Sequence, residues 1–367
     1  MTRTARVVVD LTAIKANARA LRRAVPGAAL IAVVKRDAYG HGAPEVGHAL
    51  AGLADLLAVA DPGEAFVLRA AGIRTPVLVL GTAASVDLPA LIRAGCHPTL
   101  TGERDLAAMP EPRGGVLAAH LKFDTGMGRL GFDASRAAEV VRLLRKRRVR
   151  RLAGIWTHLA AAGEPGFTRV QLRRFDECLG VLRTHGIDPG LTHAANSGAV
   201  LASVRARGYR AIRPGLLLYG CAPGGARPPR WLRPAMSFGT RVADVRRVAR
   251  GATVSYDHTW RASRAATLAI LPAGYADGFS RLQSNRGTVL IRGRFARVRG
   301  LVCMNLTIVD VTDIPGVVPG DEAVFFGAQR GRRLNAGTVA RRQHTIAYEV
   351  LCTAGGLNRR EYGAARG

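Results

Sequence analysis

The 367-residue sequence predicts a (β/α)8 barrel over residues 9–230 followed by a mostly β domain over residues 231–367, with residues 1–8 contributing a strand to that second unit. Three observations predict it. Short apolar runs alternate with amphipathic stretches from residue 29 to 220. From about residue 231 the pattern changes to short strands separated by Gly and Asp turns. Between the two lies a Pro- and Arg-rich stretch, "APGGARPPRWLRP" (222–234).

The opening "RVVVDL" (6–11) reads as the strand that joins the β domain. The barrel strands are then "ALIAVV" (29–34), "LLAVA" (56–60), "PVLVLG" (76–81), "HPTLT" (97–101), "LAAHLKF" (117–123), "LAGIWTH" (152–158), "LTHAAN" (191–196) and "AIRPGLLLYG" (211–220). These are near-continuous apolar runs, as expected of parallel strands buried on both faces. Helical stretches separate them: "APEVGHALAGLA", "PGEAFVLRAAG", "ASVDLPALIRAG", "ERDLAAM", "ASRAAEVVRLLRKRR", "FTRVQLRRFDECLGVLRTHG" and "SGAVLASVRARG", several closed by a glycine suited to a C-cap. In the second unit "AATLAILPAGY", "GTVLIRG", "FARVRGLVCMNLTIVDVT" and "EAVFFG" read as strands. The first long helix there is "TVARRQHTIAYEVLCTA" (338–354).

A net charge of +28 raises the question of nucleic acid. The arginines are scattered over predicted helix faces, and the densest cluster, "RLLRKRRVRR" (142–151), has no interleaved aromatics. It reads as a solvated helix end, leaving salt-dependent adhesion to polyanions but no specific nucleic-acid partner. Five widely spaced cysteines without a C-x-x-C pair indicate neither a disulfide framework nor a metal site. No apolar run reaches membrane-spanning length and the opening lacks a signal-peptide core, so a cytoplasmic enzyme without a membrane partner is the expectation.

Of 54 basic residues only Lys15, Lys35, Lys122 and Lys146 are lysines, leaving 50 arginines. Positions that need only a positive charge have mostly received arginine. A lysine amine, unlike a guanidinium, can lose its proton when desolvated and attack a carbonyl. Lys35, at the predicted end of the first barrel strand, is therefore a candidate nucleophile, the alternative being a solvated lysine. His158, Asn196 and Ser197 also fall at or just after predicted strand ends, where barrel enzymes gather their chemistry.

Nine blocks, in order, resemble the alanine racemase family: "AVVKRDAYGHG" (32–42), "KFDTGMGRLGF" (122–132), "THLA" (157–160), "ANS" (195–197), "RPGLLLYG" (213–220), "VSYDHTW" (254–260), "LPAGYADG" (271–278), "VCMN" (302–305) and "TIAYEVL" (345–351). The resemblance implies a pyridoxal 5'-phosphate enzyme of barrel plus β domain in which Lys35 holds the cofactor as a Schiff base and then serves as one base. It places the second base at Tyr256. Tyr39, Ser197, Gly215, Leu216 and Tyr348 match the phosphate contacts, the Gly215 and Leu216 positions through their backbone. Arg213 matches the donor to the pyridine nitrogen, and His158 the residue that orients this arginine. Arg129 and Met304 match the substrate-carboxylate contacts. Lys122 matches a position that is a carbamylated lysine in many members, with a plain solvated lysine as the alternative. The resemblance also implies a homodimer in which Tyr256 and Met304 reach the partner's site.

The chemistry accounts for these residue types. Racemising an amino acid requires removing a weakly acidic Cα proton and returning it on the opposite face, so an electron sink and two opposed bases are needed. An unperturbed phenol is a weak base at neutral pH and needs cationic neighbours. The sequence departs from the family pattern at Arg36, where a small or neutral residue is usual, at Asp257 in place of glycine, at Asn305 in place of aspartate, and in "GGLNRREY" (355–362). The leading expectation is interconversion of L- and D-alanine, supplying D-alanine for peptidoglycan. A serine or broad-specificity racemase is the alternative. A non-catalytic single-barrel cofactor-binding protein is disfavoured by the second domain.

Overall fold

The structure, a computed structural model, describes residues 5–82, 88–202 and 209–363. Strand β1 (Arg6–Val9) precedes helix α1 (Leu11–Ala24), whose first turn is capped by the Asp10 carboxylate accepting from Ala13 N–H at 2.9 Å. Eight parallel strands come next: β2 (Ala29–Val33), β3 (Leu56–Val59), β4 (Val77–Thr82), β5 (Cys96–Leu100), β6 (Val116–Asp124), β7 (Arg151–Trp156), β8 (Leu191–Asn196) and β9 (Ala211–Arg213). They pair in the order β5-β4-β3-β2-β9-β8-β7-β6, and β5 pairs again with β6, which closes the barrel. All four residues of β3 and the last four of β2 are buried, as a two-sided apolar strand requires.

The last predicted barrel strand is shorter than its apolar run. β9 stops at Arg213 because Pro214 offers no N–H to the ladder, and residues 215–219 turn tightly with Leu218 N–H donating to Gly215 O. Of the predicted helices, parts of "ASVDLPALIRAG" and "SGAVLASVRARG" lie outside the described residues.

The second unit is built on a ten-stranded sheet. Its strands are β10 (Met236–Arg241), β11 (Asp244–Val248), β12 (Ala266–Leu271), β13 (Thr288–Ile291), β14 (Arg294–Val298), β15 (Thr307–Asp310), β16 (Glu322–Gln329), β17 (Arg332–Leu334) and β18 (Arg360–Tyr362). The tenth is β1, which runs antiparallel to β10 and parallel to β18, so both ends of the chain meet in this sheet. The predicted helix over 338–354 is two helices, Ala336–Arg342 and Ala347–Leu357. The break falls at His344, whose φ of +55° is incompatible with a right-handed helix. Among the described residues no helix is long and apolar enough to cross a membrane.

Directly after β2 the backbone does something local propensity opposes. Arg36, Asp37, Ala38 and Tyr39 all have φ between +51° and +55°, and Gly40 comes next at +81°. Four consecutive non-glycine residues in the left-handed region cost about 1–2 kcal/mol each. The surroundings hold them there. Glu64 accepts from Arg36 N–H (2.6 Å) and from Ala60 N–H (2.7 Å), Asp37 accepts from Ala43 N–H (2.6 Å), and Arg360 on β18 pairs with the Asp37 carboxylate. Helix Ala347–Leu357 lies so close that a Cβ on Gly355 would come within 1.9 Å of Gly40 O.

Candidate active site

A cavity of about 460 Å³ opens at the C-terminal ends of the barrel strands. Lys35, Lys122, Arg129 and Arg213 face it, and among the described residues no carboxylate does. Lys35 enters from the end of β2, at the start of the left-handed turn. Burial and the nearby Arg129 and Arg36 lower its pKa, partly countered by Glu64. The Arg36 side chain itself is exposed, so this departure adds charge at a distance and takes no cavity volume.

Lys122, on β6, is 1% exposed, with Nζ 4.8 Å from the centre of the Trp156 ring. Burial and Arg129 push its pKa down to about 8. Two residues on, the Asp124 carboxylate accepts from the backbone N–H groups of Gly126, Met127 and Arg129 at 2.7–2.9 Å, tying down the loop that brings Arg129 to the cavity rim. Sequence reasoning passed over Asp124, although an Asp opening a Thr-Gly-Met-Gly turn is a recognisable loop anchor.

Arg213, at the end of β9, is 3% exposed. Its guanidinium donates to Thr157 O (2.7 Å), Ala194 O (3.2 Å) and His193 Nδ1 (2.7 Å), and lies 4.7 Å from the Trp156 ring centre. The histidine bonded to this arginine is thus His193, whereas the family resemblance assigns that task to His158. The reason is geometric. His193 lies inside β8, hydrogen-bonded to β9, whereas His158 lies two residues beyond the end of β7 and faces the cavity. Burial and the four surrounding cations push the His158 pKa down to about 3, leaving its ring neutral.

Ser197 comes directly after β8, and its Oγ accepts from Gly215 N–H at 2.9 Å and Leu217 N–H at 3.4 Å, gathering backbone donors of the 215–219 turn on one side of the cavity. Leu216, in the same turn, is 1% exposed. Gly215 is required to be small: a Cβ there would sit 2.5 Å from the Tyr39 hydroxyl. Tyr39 and Tyr348 pack with ring centres 5.5 Å apart, and both line the cavity.

Tyr256 and Met304 are not in this cavity. They lie 63% and 55% exposed on the β unit, in two segments joined by Ser255 Oγ donating to Leu301 O at 2.7 Å. The "LPAGYADG" block packs on the same loop, with Tyr275 N–H donating to Cys303 O and Ala276 N–H to Met304 O. Asp257 and Asn305 are exposed on this face as well. One chain therefore assembles the lysine, the arginines and the donor cluster in one place, and the tyrosine and methionine in another.

The cavity suits a phosphate-bearing carbonyl cofactor. It carries a desolvated amine, excess positive charge, a serine and tyrosine hydroxyl, and a glycine that leaves space beside one of them.

Family comparisons agree with the geometry. Residues 9–223 match the family model described as alanine racemase, N-terminal domain, and residues 235–362 the one described as alanine racemase, C-terminal domain. The alanine racemase of Symbiobacterium thermophilum is 41% identical over 360 residues, 96% of this chain and 94% of that protein. The crystal structure of alanine racemase from Streptomyces lavendulae superposes with a TM-score of 0.89 at 35% identity, covering 100% of this chain and 98% of that one. A third, from Bartonella henselae and described as having covalently bound pyridoxal phosphate, has a TM-score of 0.84 at 26% identity, covering 98% and 99%. With both domains matched in order and relatives aligned nearly end to end, this chain belongs to the alanine racemase family.

Proposed function

We propose that this protein is an alanine racemase that interconverts L- and D-alanine with pyridoxal 5'-phosphate and supplies D-alanine for peptidoglycan. The observation that carries the reading is the cavity onto which four cationic side chains and, among the described residues, no carboxylate face, one of the four a desolvated lysine amine. When bound there, pyridoxal phosphate supplies the electron sink that makes the substrate's Cα proton removable.

The chain's own groups do the rest. Lys35, its amine more readily neutral than an exposed lysine's, would hold the cofactor covalently through its Nζ and, once freed, would take or return the Cα proton on one face. Arg129 presents a planar fork to the substrate carboxylate. Arg213 can only donate, so it would leave a ring nitrogen that it meets unprotonated and weaken the electron sink the cofactor supplies, which would favour prompt return of the proton over transamination. Ser197, Tyr39, Tyr348 and the backbone at Gly215 and Leu216 hold the phosphate, and His158 adds an uncharged wall. A carbamate formed on Lys122 would turn its repulsion of Arg129 into attraction. The Tyr348 ring at the cavity wall narrows the space for side chains larger than methyl, which favours alanine over serine.

The second base, Tyr256, and the Met304 backbone contact to the substrate carboxylate come in this reading from a second copy of the chain, in a head-to-tail homodimer with two equivalent composite sites. Support comes from their exposure, and from their absence from the lining of the cavity their roles require. We place the enzyme in the cytoplasm, where its five free thiols would stay reduced.

Turnover of an amino-acid panel by the purified enzyme with added cofactor, read by chiral chromatography, tests the activity. Alanine should racemise fastest. Faster serine turnover would replace the substrate, and no turnover of any amino acid would overturn the function. Mixing inactive Lys35→Ala and Tyr256→Phe proteins tests the shared site, because a heterodimer holds one site with both defects and one with none. Activity should recover to about half of wild type per heterodimer. Heterodimers that stay inactive would place Tyr256 in its own chain's site.

A further inference from the structure

Behind Arg213 the barrel interior holds a row of three imidazoles, whose bearing on catalysis rests on the racemase function proposed for the cavity. His193 Nε2 lies 2.8 Å from His120 Nδ1, and His120 Nε2 lies 3.4 Å from His97 Nδ1. The row thus runs from Arg213 on β9 through His193 on β8 and His120 on β6 to His97 on β5, away from the cavity. Barrel interiors are filled mainly by branched apolar side chains, so polar rings in series are an unusual choice. Room is reserved for the middle one: a Cβ on Gly154 of β7 would come 2.4 Å from His120 Cε1 and 2.5 Å from its Nδ1.

The polarity of this row is dictated from its arginine end. A guanidinium has donors and no acceptor, so His193 must present a lone pair at Nδ1 and carry its proton on Nε2. That N–H donates to His120 Nδ1, which places the His120 proton on Nε2, facing His97 Nδ1. The rings are thereby the same tautomer, with dipoles head to tail and the negative end on Arg213. Arg213 needs this. Its carbonyl and imidazole partners include no carboxylate, and burial pushes its pKa down to about 9. The rings stay neutral, because burial lowers all three pKa values, helped by Arg213 at His120 and His193 and by Arg69 at His97.

We infer that His120 and His97 are positioning residues for Arg213: by accepting in turn the Nε2–H that the arginine end imposes, they fix the His193 ring and strengthen its Nδ1 as an acceptor, and so set the charge and aim of the arginine that faces the cofactor ring. Without an acceptor for its Nε2–H, His193 keeps this tautomer against Arg213, but its ring loses its second anchor and becomes a weaker acceptor.

Long-range 1H–15N spectra of the 15N-histidine-labelled holoenzyme test this directly, since they report which ring nitrogen carries the proton. His193 and His120 should both be Nε2–H. His120→Phe, which keeps a ring but removes both hydrogen bonds, should leave His193 as Nε2–H but move its Nε2–H proton resonance upfield, toward that of an unpaired N–H. It should also raise the ratio of transamination to racemisation by about tenfold, with the alanine KM within about threefold of wild type, since a hydrogen bond to a charged group is at stake. Gly154→Ala, which displaces the His120 ring and deletes no polar group, should move both readouts the same way. His120→Gln, whose amide can accept and donate, should bring the ratio back to within about threefold of wild type. A His193 ring protonated on Nδ1 in the unaltered enzyme would overturn the inference. So would a His120→Phe enzyme with unchanged His193 Nε2–H resonance and ratio. If the enzyme racemises nothing, the functional reading fails on its own, while the tautomers of the unaltered protein still decide the relay.

Discussion

Two adjacent glycines in one helix should respond to alanine with opposite signs. Gly355 and Gly356 both lie in helix Ala347–Leu357. A helical glycine replaced by alanine gains about 0.5–1 kcal/mol from propensity alone. At exposed Gly356 a Cβ meets nothing within 4 Å, so that gain should appear undiminished. At Gly355 the Cβ would lie 1.9 Å from Gly40 O, 2.5 Å from Gly40 C and 2.7 Å from Gly40 Cα. Both sides of that contact are backbone, so no rotamer change relieves it, and the helix must back away by about 1 Å. Overpacking of this kind costs about 1–3 kcal/mol, which leaves Gly355→Ala destabilised by about 1–2 kcal/mol net and separates the neighbours by about 2 kcal/mol. Urea midpoints of the two variants, tracked by tryptophan fluorescence, measure the difference. Gly40 closes the left-handed turn that begins one residue after Lys35, so the displacement should also reach the amine. Misplacing a reacting group by about 1 Å can cost about 100-fold, and racemisation by Gly355→Ala should fall by at least about tenfold while Gly356→Ala keeps its rate. Equal midpoints and equal rates for the two variants would refute the close contact and the clamp argued from it.

Lys35→Arg should lose both the cofactor's absorbance after gel filtration and racemisation, because a guanidinium stays protonated; near-normal activity would remove Lys35 from the site. Arg213→Glu should shift the reaction toward transamination, since a carboxyl can donate a proton to a ring nitrogen where a guanidinium cannot, and unchanged partitioning would count against the role given to Arg213. Lys122, with its pKa pushed down to about 8, reacts with carbon dioxide only as the neutral amine, forming a C–N bond and releasing a proton. The neutral fraction grows as pH rises through about 8, so a carbamate signal from 13C-bicarbonate should strengthen from about pH 6 to pH 9, and a signal absent throughout would leave Lys122 unmodified.

How far the sequence reached depends on whether a feature is local. The barrel was legible because strands buried on both faces must be apolar throughout, as β2 and β3 are. Lys35 stood out because lysine is nearly absent elsewhere. The left-handed turn was not legible. Arg36 to Tyr39 carry no glycine that would announce positive φ, and what holds them comes from Glu64, Gly355 and Arg360, up to 323 residues away in sequence. The same distance explains "GGLNRREY": read alone it is a departure from a family ending, but in the fold its first glycine admits Gly40 O and its Arg360 pairs with Asp37. His193 escaped for a related reason. In "LTHAAN" it reads as a polar residue in a strand, and only the closed barrel turns it toward Arg213 and toward His120 two strands away. The residues that make chemical contact are those with unusual chemistry and can be found one at a time. Those that aim them are ordinary residues whose meaning comes from the opposite side of a closed sheet, so they become visible only once the barrel is closed and the chain ends are paired.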